Sequence, residues 1–219
     1  MGRLAMFPLG SVALPGEALP LHVFEPRFRR LVLDCLADET GAAHFGTALI
    51  EHGHEVGGGD QRASVATIAR IVRVGPLPGG RFEMLASAVG RATVLEWLPD
   101  DPYPIADVEP WPDRPPADDE SFAARLVALA VRVRDVRRLA HEAARAAAGP
   151  NASAAPPDTD DSVRLVDDPV HASYQLATCA PFGPADRYRV LQAPTVETRL
   201  DVIDGALGDV DAALRFRLS

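Results

Sequence analysis

Residues 65–94 read VATIARIVRVGPLPGGRFEMLASAVGRATV, and this stretch decides the fold of the first half of the chain. β-branched side chains are frequent in residues 65–74, which predicts a strand, and Pro78-Gly79-Gly80 predicts a hairpin turn. Apolar and polar residues then alternate over residues 81–89, as expected of a second strand with one buried face. Gly90 interrupts this strand and predicts a bulge or a bend. The stretch therefore predicts an antiparallel hairpin.

Short apolar runs separated by turn residues predict further strands on either side of this hairpin. Pro26 suits the first position of a helix, because the apolar side chains after it recur at three- and four-residue spacing up to Leu36. The apolar runs cover residues 4–9, 11–14, 19–24, 43–52 and 105–111, and the first three predict two or three strands.

The apolar period changes from two to about three and a half beyond a linker rich in prolines and acids. An apolar stripe from Phe122 to Ala140 predicts one long amphipathic helix that ends before Gly149-Pro150. Asp168 and Thr195 are predicted to cap two later helices, and Gly183-Pro184 to begin a short one between them. Residues 149–161 are predicted to form a mobile loop.

These patterns together predict an α+β fold in two parts. A β-rich domain is expected over residues 1–112 and a helical domain over residues 118–219. The long helix is expected to pack inside its own bundle rather than against a second copy, so a monomer is favoured over a dimer.

Composition excludes several classes of function. The formal net charge is −9 at pH 7, which argues against a general nucleic-acid binder. The chain contains no lysine, so it cannot form a Walker A loop, a Schiff base or a Ser–Lys protease site. No apolar run is long enough for a signal peptide or a membrane span. We therefore expect a cytoplasmic, non-catalytic protein without a cofactor.

Two stretches resemble the N-terminal substrate-binding domain of the Lon protease family. MFPLGSVALPGEALPLHVFEPRFRRLV, residues 6–32, is similar to the opening of that domain, and residues 65–94 are similar to its hairpin and the Gly-Arg-Ala step after it. Ala193-Pro194-Thr195, before an apolar heptad, is similar to the end of its helical bundle. The loop over residues 53–61 and the linker over residues 151–161 match no element of the family.

The resemblance implies a PUA-like pseudo-barrel of mostly antiparallel strands followed by a C-terminal helical bundle. It also implies binding of unfolded or partner polypeptides. Because the sequence stops at Ser219, we expect a stand-alone domain without the family's ATPase and protease. An adaptor or modulator in protein quality control is the expected role.

Apolar residues near the predicted strand ends are candidates for a peptide-holding groove, with guanidinium groups as polar anchors. The alternative for the apolar ones, which the sequence favours, is packing in the barrel core. Glu25 and Arg27 stand where a strand becomes a helix, and a cap or an ion pair that fixes the helix start is favoured there over direct contact with a ligand. The groove candidates are Phe7, Leu9, Leu21, Phe24, Arg27, Arg70 and Arg73.

Other functional interpretations of the sequence have less support. A small hydrolase or small-ligand protein would use the region of His22, His44, His52 and His54, but no serine or cysteine stands at a motif spacing from them. A metal site would need Glu51, His52, His54, Glu55 and Asp60, in a glycine-rich loop without a rigid scaffold. RNA binding is argued against by the acidic charge. Cys35 and Cys179 are expected to be buried apolar residues.

Overall fold

The computed structural model describes residues 2–38, 43–53, 61–148 and 163–219. The chain divides into two compact units, Met1–Pro112 and Asp113–Ser219. The first unit contains the strands β1 (Gly2–Ala5), β2 (Ala18–Val23), β3 (His44–His52), β4 (Gln61–Leu77), β5 (Arg81–Leu98) and β6 (Ile105–Pro110), and the helix α1 (Pro26–Ala37). The second contains the helices α2 (Asp119–Ala148), α3 (Pro169–Cys179), α4 (Pro184–Gln192) and α5 (Val196–Leu218). The α+β class predicted from the sequence is confirmed.

The strands of the first unit form a closed, barrel-like sheet. Its order is β1-β6-β5-β4-β3, and these neighbours are antiparallel. The segment after β1 then pairs in parallel with β3, through the bridges Met6↔Gly46 and Leu9↔Leu49. The Phe7 N–H donates to the Gly46 carbonyl at 2.7 Å and the Leu9 N–H to the Ala48 carbonyl at 2.9 Å. The chain that leaves β1 thus covers the outer edge of β3.

The predicted hairpin is confirmed, and its strands are longer than the residue runs from which they were predicted. β4 and β5 pair from Leu77↔Arg81 to Val65↔Thr93, across a turn in which Gly79 and Gly80 have φ of 77° and 70°. These positive φ values favour glycine. The predicted interruption is also present, because the register shifts between Ala88 and Gly90. β2 pairs with the first half of β5, and β6 with its second half.

Of the first three apolar runs, one does not form a strand. Residues 11–14 are assigned to no strand, although Val12, Ala13 and Leu14 are buried. Side chains satisfy this backbone instead: the Leu14 N–H donates to Glu17 Oε2 at 2.6 Å, and Thr67 Oγ1 donates to the Ala13 carbonyl at 2.7 Å. The run is apolar because it is a buried loop.

Two apolar clusters fill the first unit. One lies within the barrel, where alanines alternate with larger residues such as Met6 and Val108. The other joins the barrel to α1 through Phe7, Phe28 and Phe45. Phe7 and Phe28 are stacked, with their ring centroids 4.1 Å apart. This second cluster fixes where α1 begins.

The second unit is a bundle in which α2 packs on α3 and α5. The buried side chains of α2 are Phe122, Leu126, Leu129, Val133 and Val136, as the sequence predicted. The predicted N-caps are confirmed: the Asp168 side chain accepts from the His171 N–H, and the Thr195 side chain from the Thr198 N–H. The loop predicted over residues 149–161 lies outside the described residues. None of the described helices is long and apolar enough to cross a membrane.

Candidate functional site

The four apolar groove candidates line one pocket. Its volume is about 190 Å³, and it lies between the segment after β1, the outer edge of β2 and the start of α1. Phe7 and Leu9 come from the first segment, and Leu21 and Phe24 from β2 and its C-terminal end. The remaining described residues that line it are Pro8, Pro20, His22, Glu25 and Phe28.

The inner wall of the pocket is rigid because its aromatic rings belong to the core. Phe7 and Phe28 are 8% and 3% exposed and stack on each other, and the guanidinium of Arg27 lies 4.5 Å from the Phe28 ring centroid. Phe7 therefore fills the core and also forms the wall, two roles that the sequence analysis treated as alternatives.

The mouth of the pocket is formed by Phe24, whose side chain is 49% exposed. Its only described ring contact is with His22, with centroids 6.1 Å apart in an edge-on arrangement. A half-exposed aromatic side chain beside an apolar pocket can pack on a ligand, and because it lies outside the core, little core packing is lost.

Glu25 is the acidic residue among the described residues that line the pocket. Arg27 Nε donates to Glu25 Oε2 at 3.1 Å, and the side chains are 18% and 16% exposed. Arg27 also approaches Asp100 at 3.9 Å, and Arg62 binds Asp100 with two bonds of 3.0 Å. The Glu25–Arg27 pair expected from the sequence is present, whereas Glu25 makes no side-chain cap bond to α1.

Arg70 and Arg73 do not line this pocket. Their register partners on β5 are Ser87 and Leu85, and those residues in turn pair with Ala18 and Pro20 of β2. Two strand spacings, about 10 Å, therefore separate the backbones of these arginines from β2. Both are exposed on the outer sheet surface.

The outer edge of β2 borders the pocket. The Ala88 N–H donates to the Glu17 carbonyl, so the odd-numbered residues of β2 take the positions hydrogen-bonded to β5. Ala18, Pro20 and His22 consequently direct their backbone groups away from β5. Pro20 has no N–H to offer, which leaves a gap in the donors along this edge.

The histidines do not converge with a nucleophile in the described residues. His22 lies at the pocket, whereas His44 begins β3, where its carbonyl accepts from Cys35 Sγ at 3.4 Å. Burial raises the pKa of the Cys35 thiol to about 11, so the thiolate is scarce near neutral pH. Cys35 behaves as the buried apolar residue that was expected, while Cys179 is half-buried.

The metal site that the sequence disfavoured falls partly outside the described residues. Glu51 and His52 are exposed at the end of β3, and His54, Glu55 and Asp60 lie outside the described residues. Among the described residues no group of histidine, cysteine or carboxylate side chains is arranged to hold a metal ion.

Two other depressions are larger but differ in character. One of about 610 Å³ is lined by Gly2, Leu95 and Glu96 and by Arg3 and Asp107, which pair at 3.7 Å. Another of about 360 Å³ lies in the second unit beside the exposed Val127 and Val131 of α2. The pocket at Phe24 differs from both in joining a core-backed apolar wall to a carboxylate.

Comparison with known proteins identifies one family. The ATP-dependent protease La (LON) substrate-binding domain matches residues 3–204. The chain is 25% identical over 201 residues to a Lon protease of Anaeromyxobacter dehalogenans and 27% identical over 205 residues to Lon protease 1 of Herpetosiphon aurantiacus. These matches cover 91% and 90% of the chain but only 22% and 23% of the relatives. The chain thus spans under a quarter of their length.

Solved structures show the same fold. A Lon N-terminal domain protein from Xanthomonas campestris superposes with a TM-score of 0.64 at 23% identity, covering 94% of this chain and 98% of that one. The N-terminal domain of a Mycobacterium avium complex Lon protease gives a TM-score of 0.59 at 20% identity, covering 95% and 99%. At these identities the likeness concerns the fold.

Proposed function

The chain belongs to the LON substrate-binding domain family, and from this premise we propose that it binds polypeptides by taking an apolar side chain into the pocket at Phe24. The substrate-binding domain of this family is a non-catalytic module. We propose further that the protein acts as an adaptor or modulator that holds unfolded segments for quality control. The observation that supports the proposal is the half-exposed Phe24 beside an apolar wall whose aromatic rings belong to the core.

The size of the pocket favours a single side chain as its ligand. Drug-sized ligands occupy pockets of roughly 300–1,000 Å³, whereas an apolar cavity of about 150 Å³ holds a benzene ring. A pocket of about 190 Å³ suits one leucine or phenylalanine side chain. This supports polypeptide binding over the small-ligand alternative.

The strand edges favour insertion of a side chain over addition of a strand. A polypeptide that adds to a sheet needs a free edge with regular donors and acceptors. The segment after β1 covers β3, and Pro20 removes a donor from the outer edge of β2. Proline on an edge strand discourages pairing with another chain. The bound segment is thus held mainly through its side chain.

The small-hydrolase alternative has no supporting geometry in the described residues. His22 and His44 belong to different places in the unit, and the Cys35 thiol has its pKa raised to about 11. A cysteine nucleophile requires the pKa to be lowered instead.

The proposal is tested by the change Phe24→Ala. We expect it to weaken binding of a short fluorescent peptide with one central phenylalanine by roughly fivefold to tenfold, since partial burial of an aromatic ring contributes about 1 kcal/mol. Phe24 is preferable to Phe7, because truncating a buried phenylalanine costs about 3–5 kcal/mol of stability. Fluorescence anisotropy with the full chain measures the affinity.

Leu33→Ala provides the matched control. Leu33 lies on α1, is 51% exposed and is outside the described pocket lining, so its loss removes similar exposed apolar surface. Equal affinities for the two variants and the unaltered protein would rule out the pocket as the binding site.

A further inference from the structure

The described lining of the pocket contains one acidic residue, Glu25, which binding of an apolar side chain does not by itself require. Among the described lining residues, Glu25 is the one carboxylate, and no guanidinium belongs to the lining. Phe24 and His22 flank it, and the apolar wall of Phe7 and Leu21 lies within. A ligand in the pocket therefore has one acidic residue, and no arginine, among the described residues around it.

The orientation of this carboxylate is fixed by neighbours outside the pocket. Arg27 holds Oε2 at 3.1 Å, and its guanidinium is itself held over the Phe28 ring and near Asp100. Asp100 in turn takes two bonds from Arg62, whose side chain is 8% exposed. A carboxylate has lone pairs beyond those that one arginine uses, so Glu25 remains able to accept from a ligand.

Glu25 belongs to a network of ion pairs among the described residues, in which it and Asp100 pair with Arg27 and Arg62. Glu25 is the member that lines the pocket, and Coulomb interactions fall with distance. A ligand group that occupies the pocket therefore lies beside this acidic residue.

We propose that Glu25 makes the pocket select an apolar side chain that has a basic residue two positions away, a specificity that rests on the proposed polypeptide binding. In an extended peptide, residues two positions apart project to the same side and are about 6.7 Å apart along the chain. A lysine or arginine there reaches Glu25 while the apolar side chain fills the pocket. A glutamate at the same place is repelled.

The test uses three short peptides that differ only two positions after a central phenylalanine, where they carry lysine, glutamine or glutamate. We expect the lysine peptide to bind the full chain about threefold more tightly than the glutamine peptide, and the glutamate peptide about threefold more weakly, at low salt. The preference should shrink as salt is added.

Glu25→Gln removes the charge and keeps the shape. We expect this variant to bind all three peptides with affinities within about twofold of one another, whereas Glu109→Gln, an exposed change of equal charge on β6, retains the preference. An undiminished preference in Glu25→Gln would overturn the inference. So would a preference in the unaltered protein that is insensitive to salt.

The outcomes separate this inference from the function on which it rests. If all three peptides bind with equal affinity and Phe24→Ala weakens that binding, polypeptide binding at the pocket is supported and only the role of Glu25 is overturned. No binding of any peptide would overturn both. Loss of a homodimer on Phe24→Ala, without peptide binding, would assign the pocket to a second copy of the chain and also overturn both.

Discussion

Arg199 shows how a single buried charge organises the helical unit. Its side chain has no exposed surface, and it donates to Ser173 Oγ at 2.8 Å and to the Tyr174 hydroxyl at 2.8 Å while pairing with Asp113. The guanidinium also lies 3.6 Å from the Tyr174 ring centroid. Asp113 begins the unit, α3 carries the serine and the tyrosine, and α5 carries the arginine. One side chain thus ties three parts of the bundle together.

Arg199→Ala is expected to destabilise the protein by about 3–5 kcal/mol, because it removes a fully buried guanidinium that pairs with the largely buried carboxylate of Asp113. Arg125→Ala is the matched control, since Arg125 pairs with Asp201 at 2.6 Å while both side chains are largely exposed. Such a pair contributes about 1 kcal/mol or less. Urea unfolding measures both, and similar losses would contradict the assigned role of Arg199.

The elements of this chain were predictable where a local signal sets their ends. Asp168 and Thr195 cap their helices as predicted, and Gly79 and Gly80 make the expected turn. The sequence left open whether the run over residues 11–14 forms a third strand, because an apolar loop and a buried strand have the same composition. What separates them is a distant bond, from Thr67 to Ala13, that no local pattern reveals.

Closure of the barrel depends on a glycine in β3. A Cβ at Gly46 would lie 2.8 Å from Met6 Cε and 3.0 Å from Leu4 Cδ2, in a region where Met6 is fully buried. We expect Gly46→Val to destabilise the protein by about 1–3 kcal/mol through overpacking. A Cβ at Gly90 in β5 would meet no atom within 4 Å, so Gly90→Val is expected to have little effect. Equal midpoints of chemical unfolding for the two variants would refute this account of closure.

At the scale of the whole molecule, the pocket depends on sheet order, which sequence reasoning does not supply. Phe7, Leu9, Leu21 and Phe24 were suggested as groove residues, and all four line the pocket. Arg70 and Arg73 were suggested with them, but β5 lies between their strand and β2. Glu25 was predicted to form an ion pair with Arg27 at the start of the helix. The spacing in the sequence shows that Arg27 is near Glu25, but it does not show that Glu25 lines a pocket.

The central claim is that the first unit binds polypeptide through this pocket. The most direct test is to titrate the isotope-labelled full chain with the phenylalanine–lysine peptide and to follow its backbone amide resonances by NMR. The account predicts that shifts concentrate at Leu9, Leu21, His22, Phe24 and Glu25. Shifts confined to the α2 surface around Val127 and Val131, or no shifts at a large excess of peptide, would contradict it.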